Sequence, residues 1–191
     1  MITRTDSLPF TGDPEADRLL VSEPFALLVG FELDQQVPLQ KAFSGPLELT
    51  RRLGKLDAAT IASTDPGRLD EVFRERPAIH RFPGNMAKRT RELAEFIVER
   101  YGGDASRVWT EARDGADLYA RLLELPGIGP MKAGTLVSIL GKQLGIAPAG
   151  WETYAPKHMT LGDVDSAEAL ATYQAGKRAW KAEQRAQGKR V

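Results

Sequence analysis

Apolar residues recur along most of the chain at spacings of three and four. Ala16, Leu19 and Leu20 are followed by the denser run Phe25, Leu28, Val29, Phe31 and Leu33, and then by Leu47, Leu49 and Leu53. Leu56, Ala59 and Ile61 lead through Asp65-Pro66 to Leu69, Val72 and Phe73, and later sets are Leu93, Phe96, Ile97 and Tyr101, Leu118 to Leu125, and Leu136, Val137, Ile139 and Leu140. Such spacing lines one face of a helix, whereas a half-buried strand would need alternation. No stretch alternates and no segment repeats, so the pattern predicts an all-α protein.

The interruptions set the expected boundaries. Met1 to Pro14 reads as an irregular arm, with Asp13 capping a helix that starts at Pro14. A second helix starts near Pro24 and ends at Asp34-Gln35-Gln36-Val37-Pro38, and a helix from Leu39 should break at Ser44-Gly45-Pro46. Pro83-Gly84-Asn85 turns into a helix that stops at Gly102-Gly103, and a basic helix closes the chain over residues 166–191. Between the arm and that tail, residues 15–165 form the expected main domain. Arg51, Arg52 and Lys55 read as solvated charges.

One stretch is narrower than the rest: Leu125-Pro126-Gly127-Ile128-Gly129-Pro130-Met131-Lys132, between two apolar helices. Glycine at Gly127 and Gly129 can adopt φ > 0 and lets backbone approach a ligand, while Pro130 suits a first helical position. The free N–H groups at such a helix start favour an anion, for which a DNA phosphate is a natural occupant. Taken alone, the same glycines could serve only to turn an αα-hairpin.

The full string resembles the hairpin of the helix-hairpin-helix (HhH-GPD) base-excision DNA glycosylase superfamily, which includes endonuclease III, adenine glycosylase and 3-methyladenine glycosylase. The likeness runs from about Phe25 to Glu152. It implies two helical subdomains flanking a DNA-facing cleft, with Leu125, Pro126, Gly127, Ile128, Gly129, Met131 and Lys132 at the DNA. It also implies that Gln35-Gln36 match a glutamine pair that reaches into the duplex, where a neutral amide offers donor and acceptor to base edges. Spacing alone would equally make them solvated residues after a helix. The acid that some relatives place four residues before this pair is matched by Phe31, and Glu32 lies one step further round the helix. His80 with Arg81 could reach DNA, although a lone His beside an apolar loop is more often a hydrogen-bonded structural residue.

Composition limits the chemistry. Cysteine is absent and only His80 and His158 could offer imidazole, so neither an iron–sulfur cluster nor another transition-metal site is expected. The resemblance leaves room for a monovalent cation on the hairpin carbonyls. Twenty-six basic residues balance twenty-six acidic ones, which argues against indiscriminate coating of nucleic acid. No apolar run is long enough for a membrane span and no leader pattern is visible, so the expected setting is the cytoplasm, as a monomer bound to double-stranded DNA.

Active relatives carry an Asp on the loop after the hairpin, at a position matching Ala149 to Trp151. The nearest acid here is Glu152, with Asp163 and Asp165 further on. Glu152 is thus the candidate catalytic acid, or else a surface acid at a helix start. Relatives with lyase activity use a Lys whose position is Met131 here, and Lys132 is turned by about 100° from it. The expected function is a monofunctional DNA glycosylase that hydrolyses the N-glycosidic bond of a damaged base; the alternative is a DNA-binding, lesion-sensing protein of the same fold.

Overall fold

The computed structural model describes residues 5–189, and every regular element among them is helical. In order these are α1 (Pro14–Ser22), α2 (Pro24–Leu33), α3 (Leu39–Leu53), α4 (Ala58–Ser63), α5 (Pro66–Arg74), α6 (Pro83–Tyr101), α7 (Arg107–Thr110), α8 (Gly115–Glu124), α9 (Pro130–Lys142) and α10 (Ala167–Ala186). Short 3-10 turns cover Trp151–Thr153 and Leu161–Asp163. None of the helices is long and apolar enough to cross a membrane.

α2 is the centre of the molecule. Its sequence has almost no polar face, and a helix apolar all round must be covered all round. Every residue from Phe25 to Leu33 is buried accordingly, beneath α1, α3 and α6. The Phe43 ring of α3 packs on Gly30, where a Cβ would come within 2.5 Å of it. Phe31 and Phe10 both meet Phe43 edge to face.

One expectation changes here. Ser44-Gly45-Pro46 does not end the helix, because α3 runs through it to Leu53 and Pro46 sits inside. An internal proline costs about 3 kcal/mol. It is offset by the apolar stripe Leu39, Ala42, Phe43, Leu47 and Leu49, and Gly45 leaves room for Leu33 to pack on the backbone. The N-terminal segment is irregular over its described residues 5–13 and is packed against the helices. Leu8 and Phe10 are fully buried, and Asp17 Oδ1 accepts hydrogen bonds from Phe10 N, Thr11 N and Thr11 Oγ1.

Arg52 is not a solvated charge either. Its guanidinium donates to the carbonyls of Val72 at 2.7 Å, Glu75 at 3.0 Å and Pro77 at 2.7 Å, so it ties the chain leaving α5 to α3. Arg51 and Lys55 do remain at the surface, paired with Glu15, Glu48 and Asp57.

α8 and α9 are joined by the hairpin, and the chain after α9 turns back along it as a strap. Trp151 lies on Gly141, Pro156 and the Tyr154 carbonyl lie on Gly134, and Gly162 lies on Ser138. At Gly141 and Gly162 a Cβ would come within 2.5 Å and 2.2 Å of its neighbour. α9 is therefore held along its length by backbone contact.

Candidate functional site

The hairpin begins as a tight turn. Ile128 N donates to Leu125 O at 3.1 Å across Pro126 and Gly127, and Gly127 has φ 79°. Proline second and a positive-φ glycine third define a type II turn. Gly129 behaves differently from the expectation: its φ is −88°, and a Cβ there would meet nothing within 4 Å. Leu125 and Ile128 point into the core, whereas Gly127, Gly129 and Met131 are exposed, Met131 by 81%. No side chain caps α9, so its first N–H groups face outward unpaired by any cap.

Beneath this turn lies a buried acid. Glu32 is 1% exposed, and a Cβ on Gly127 would stand 1.6 Å from its Oε2. That oxygen has no hydrogen-bond partner among the described residues. Oε1 faces Arg89 Nη1 at 3.5 Å and Gln35 Nε2 at 3.4 Å, while Lys132 Nζ donates to the Phe31 carbonyl. Burial pushes the Glu32 carboxyl up from its ordinary value, against the pull of Lys132 and Arg89. Burial likewise lowers the Lys132 amine, against the attraction of Glu32 and Asp34.

The glutamine pair divides its work. The Gln35 amide is committed inside the protein, donating to the Glu32 carbonyl at 2.9 Å and accepting from Arg89 Nη1 at 2.8 Å. Gln36 is exposed and has φ 55°, a backbone state that costs a non-glycine residue of order 1 kcal/mol and so needs support from its surroundings. The support comes from His80. Its Nε2 is 2.9 Å from the Gln35 carbonyl, and its Nδ1 accepts from Phe82 N at 3.0 Å. The accepting Nδ1 makes the ring neutral with Nε2–H as the donor, and burial holds its pKa below the usual histidine value.

Three long helices lack a side-chain cap: α3, α6 and α9. α3 opens three residues after Gln36, and α9 opens three residues after Gly127, which meets Glu32. α6 opens at Phe82, but the Asp70–Arg74 ion pair lies against its first turn at Gly84. The uncapped ends of α3 and α9 thus flank the Phe31–Gln36 segment, which itself carries the acids Glu32 and Asp34.

The acids foreseen after the hairpin lie elsewhere. Glu152 is exposed and makes no hydrogen bond among the described residues, in a 3-10 turn whose Trp151 packs on Gly141. Gly141 is ten residues beyond Met131, about 15 Å along α9. Asp163 is taken up by Lys142 and by the Thr160 amide, and these hold its carboxyl below the usual range despite burial. Asp165 is exposed.

The acids near the hairpin are instead Glu32 and Asp34. Sequence reasoning set Glu32 aside by its offset from Phe31, yet a lone acid in an otherwise apolar helix was a usable signal. Asp34 lines a cleft of about 370 Å³ between the start of α3 and α10, together with Tyr173, Lys177, Arg178 and Lys181. Burial raises its carboxyl, opposed by Lys177, Lys132 and Lys181. No group of acids and histidines with metal-ligand geometry occurs among the described residues. Comparison with protein-family models, with curated proteins and with solved structures finds no match to this chain.

Proposed function

We propose that the protein binds double-stranded DNA through the Leu125–Lys132 hairpin and the Gln36 loop, and acts as a monofunctional DNA glycosylase on a damaged base. The observation that carries this reading is the joining of the two segments: Glu32, Arg89 and Lys132 bind the Gln35 loop and the hairpin into one unit. A phosphate at the open start of α9 would then sit at a fixed offset from Gln36, which is left free to enter the stack. The HhH-GPD arrangement of two lobes about a cleft belongs to the same proposal.

Lyase chemistry does not fit. The position that would supply the amine is Met131, and the Lys132 amine is engaged by the Phe31 carbonyl. Hydrolysis requires only a carboxylate near the sugar and a water.

A second reading, a DNA binder without excision, is favoured by the placement of Glu152 away from the hairpin. One experiment separates them. The purified protein is titrated with duplex DNA and incubated with duplexes carrying alkylated, oxidised, deaminated and mismatched bases, and abasic sites are scored. The glycosylase reading expects abasic product from at least one lesion; tight binding without product favours the binder. Affinity should fall with salt at a log–log slope of about −0.9 per phosphate, and roughly −2 to −4 suits a chain of zero net charge. No duplex binding at low salt overturns both readings.

A further inference from the structure

α10 carries Lys177, Arg178 and Lys181 on the side facing the start of α3, and none of them forms an ion pair among the described residues. In a chain whose charges balance overall, this is a local concentration of unpaired cations around one cleft. The opposite wall is the uncapped first turn of α3. Tyr173 supplies an aromatic surface, with Lys177 Nζ 5.5 Å from its ring centre. At the side nearest Gln35 stands one carboxylate, Asp34, which no hydrogen bond or salt bridge engages among the described residues.

The combination selects the ligand. A phosphate alone would be repelled by Asp34, and a neutral molecule would leave three cations unused. A nucleotide within a strand has phosphates at both ends and, between them, a sugar that becomes positive when its base departs. The cleft volume of about 370 Å³ lies within the roughly 300–1,000 Å³ of small-ligand sites.

We infer that this cleft receives one nucleotide extruded from DNA, with its flanking phosphates on Lys177, Arg178 and Lys181 and its sugar facing the Asp34 carboxylate. The inference rests on the DNA reading above and adds the pocket and its acid. Asp34 stabilises the cationic sugar electrostatically. The C1′–N bond breaks with its electron pair going to the base nitrogen; a water oxygen then bonds to C1′, and the proton it loses completes the departing base. Glu32 cannot take this place, since it is 1% exposed beneath Gly127.

The test uses the full chain and two duplexes, one with a neutral tetrahydrofuran abasic residue and one with a cationic pyrrolidine residue that puts a fixed positive charge at the sugar. The readout is the ratio of the two affinities, which a merely structural role for Asp34 would not move. Wild type should prefer the pyrrolidine duplex by about tenfold or more, as for a transition-state mimic, and Asp34→Asn should abolish the preference. Lys177→Ala with Lys181→Ala should weaken both duplexes and keep the ratio. A preference that survives Asp34→Asn but is lost in Glu152→Gln overturns the assignment in favour of Glu152. Binding to both duplexes without preference overturns the role of Asp34 and leaves DNA recognition standing. Failure to bind either duplex overturns the DNA reading, and this inference with it.

Discussion

Gly127 and Glu32 touch across the hairpin, backbone against carboxylate, with no room for a methyl group between them. Gly127 is thus constrained twice, by its positive φ and by the acid beneath it. Gly129, two residues on, is constrained by neither.

The contrast yields a paired prediction. Gly127→Ala should cost about 2 kcal/mol or more in urea unfolding, through backbone strain and displacement of Glu32, whereas Gly129→Ala should stay within about 0.5 kcal/mol. On the proposed DNA-binding reading, Gly129→Val should lower duplex affinity without loss of stability, because its side chain would stand where a phosphate is proposed to approach. Equal destabilisation at both glycines would contradict this account of the turn.

Removing the acid itself should be costly. Glu32→Ala leaves Arg89 and Lys132 facing a void, and breaking one partner out of a buried charged set typically costs about 3–5 kcal/mol. Glu32→Gln keeps the volume and an acceptor for Arg89 and Gln35, so it should lose much less. Denaturant midpoints of the two variants, compared at one pH, decide the matter; an unperturbed Glu32→Ala would mean that the network does not hold the hairpin.

The His80 latch makes stability depend on pH in a defined direction. Its folded-state pKa lies below the ordinary 6.5, so just below pH 6.5 the unfolded chain binds a proton that the folded chain does not. Stability should therefore rise with pH up to about 6.5 and level off above it. His80→Gln should remove that part of the slope, which thermal melts between pH 5.5 and about 7.5 would reveal.

Arg52 and Arg51 are neighbours with different duties. Arg52→Ala would strip a largely buried guanidinium from three carbonyls and should cost about 2–3 kcal/mol. Arg51 makes only exposed ion pairs, and Arg51→Ala should leave the unfolding midpoint unchanged.

Much of the architecture was legible because its signals are local. Asp13 caps the helix that begins at Pro14, and the apolar spacing foretold most of the remaining helices. The continuation of α3 through Pro46 was not legible, since it depends on α2 and Ile79 covering that turn from a distance in sequence. The candidate site was read in part. Both segments that carry it were singled out, but which glutamine is free, which glycine needs its φ and which acid lies under the hairpin are set by side chains from α2, α6 and α9 meeting. Spacing within any one of those helices holds no trace of the others. The choice of Glu152 followed distance along the chain, whereas the strap spends those residues travelling along α9.

That strap also gives the chain a fingerprint independent of its chemistry. Gly134, Ser138 and Gly141 make a track of small residues on α9, and Gly115 and Gly162 are the facing places where other backbone comes within contact. A side chain on this track would lift the strap and tilt the helix that aims the hairpin. Distant kin that had exchanged every acid and glutamine discussed above would still have to keep these five positions small, so kinship is better sought in that spacing than in the residues proposed to meet a ligand.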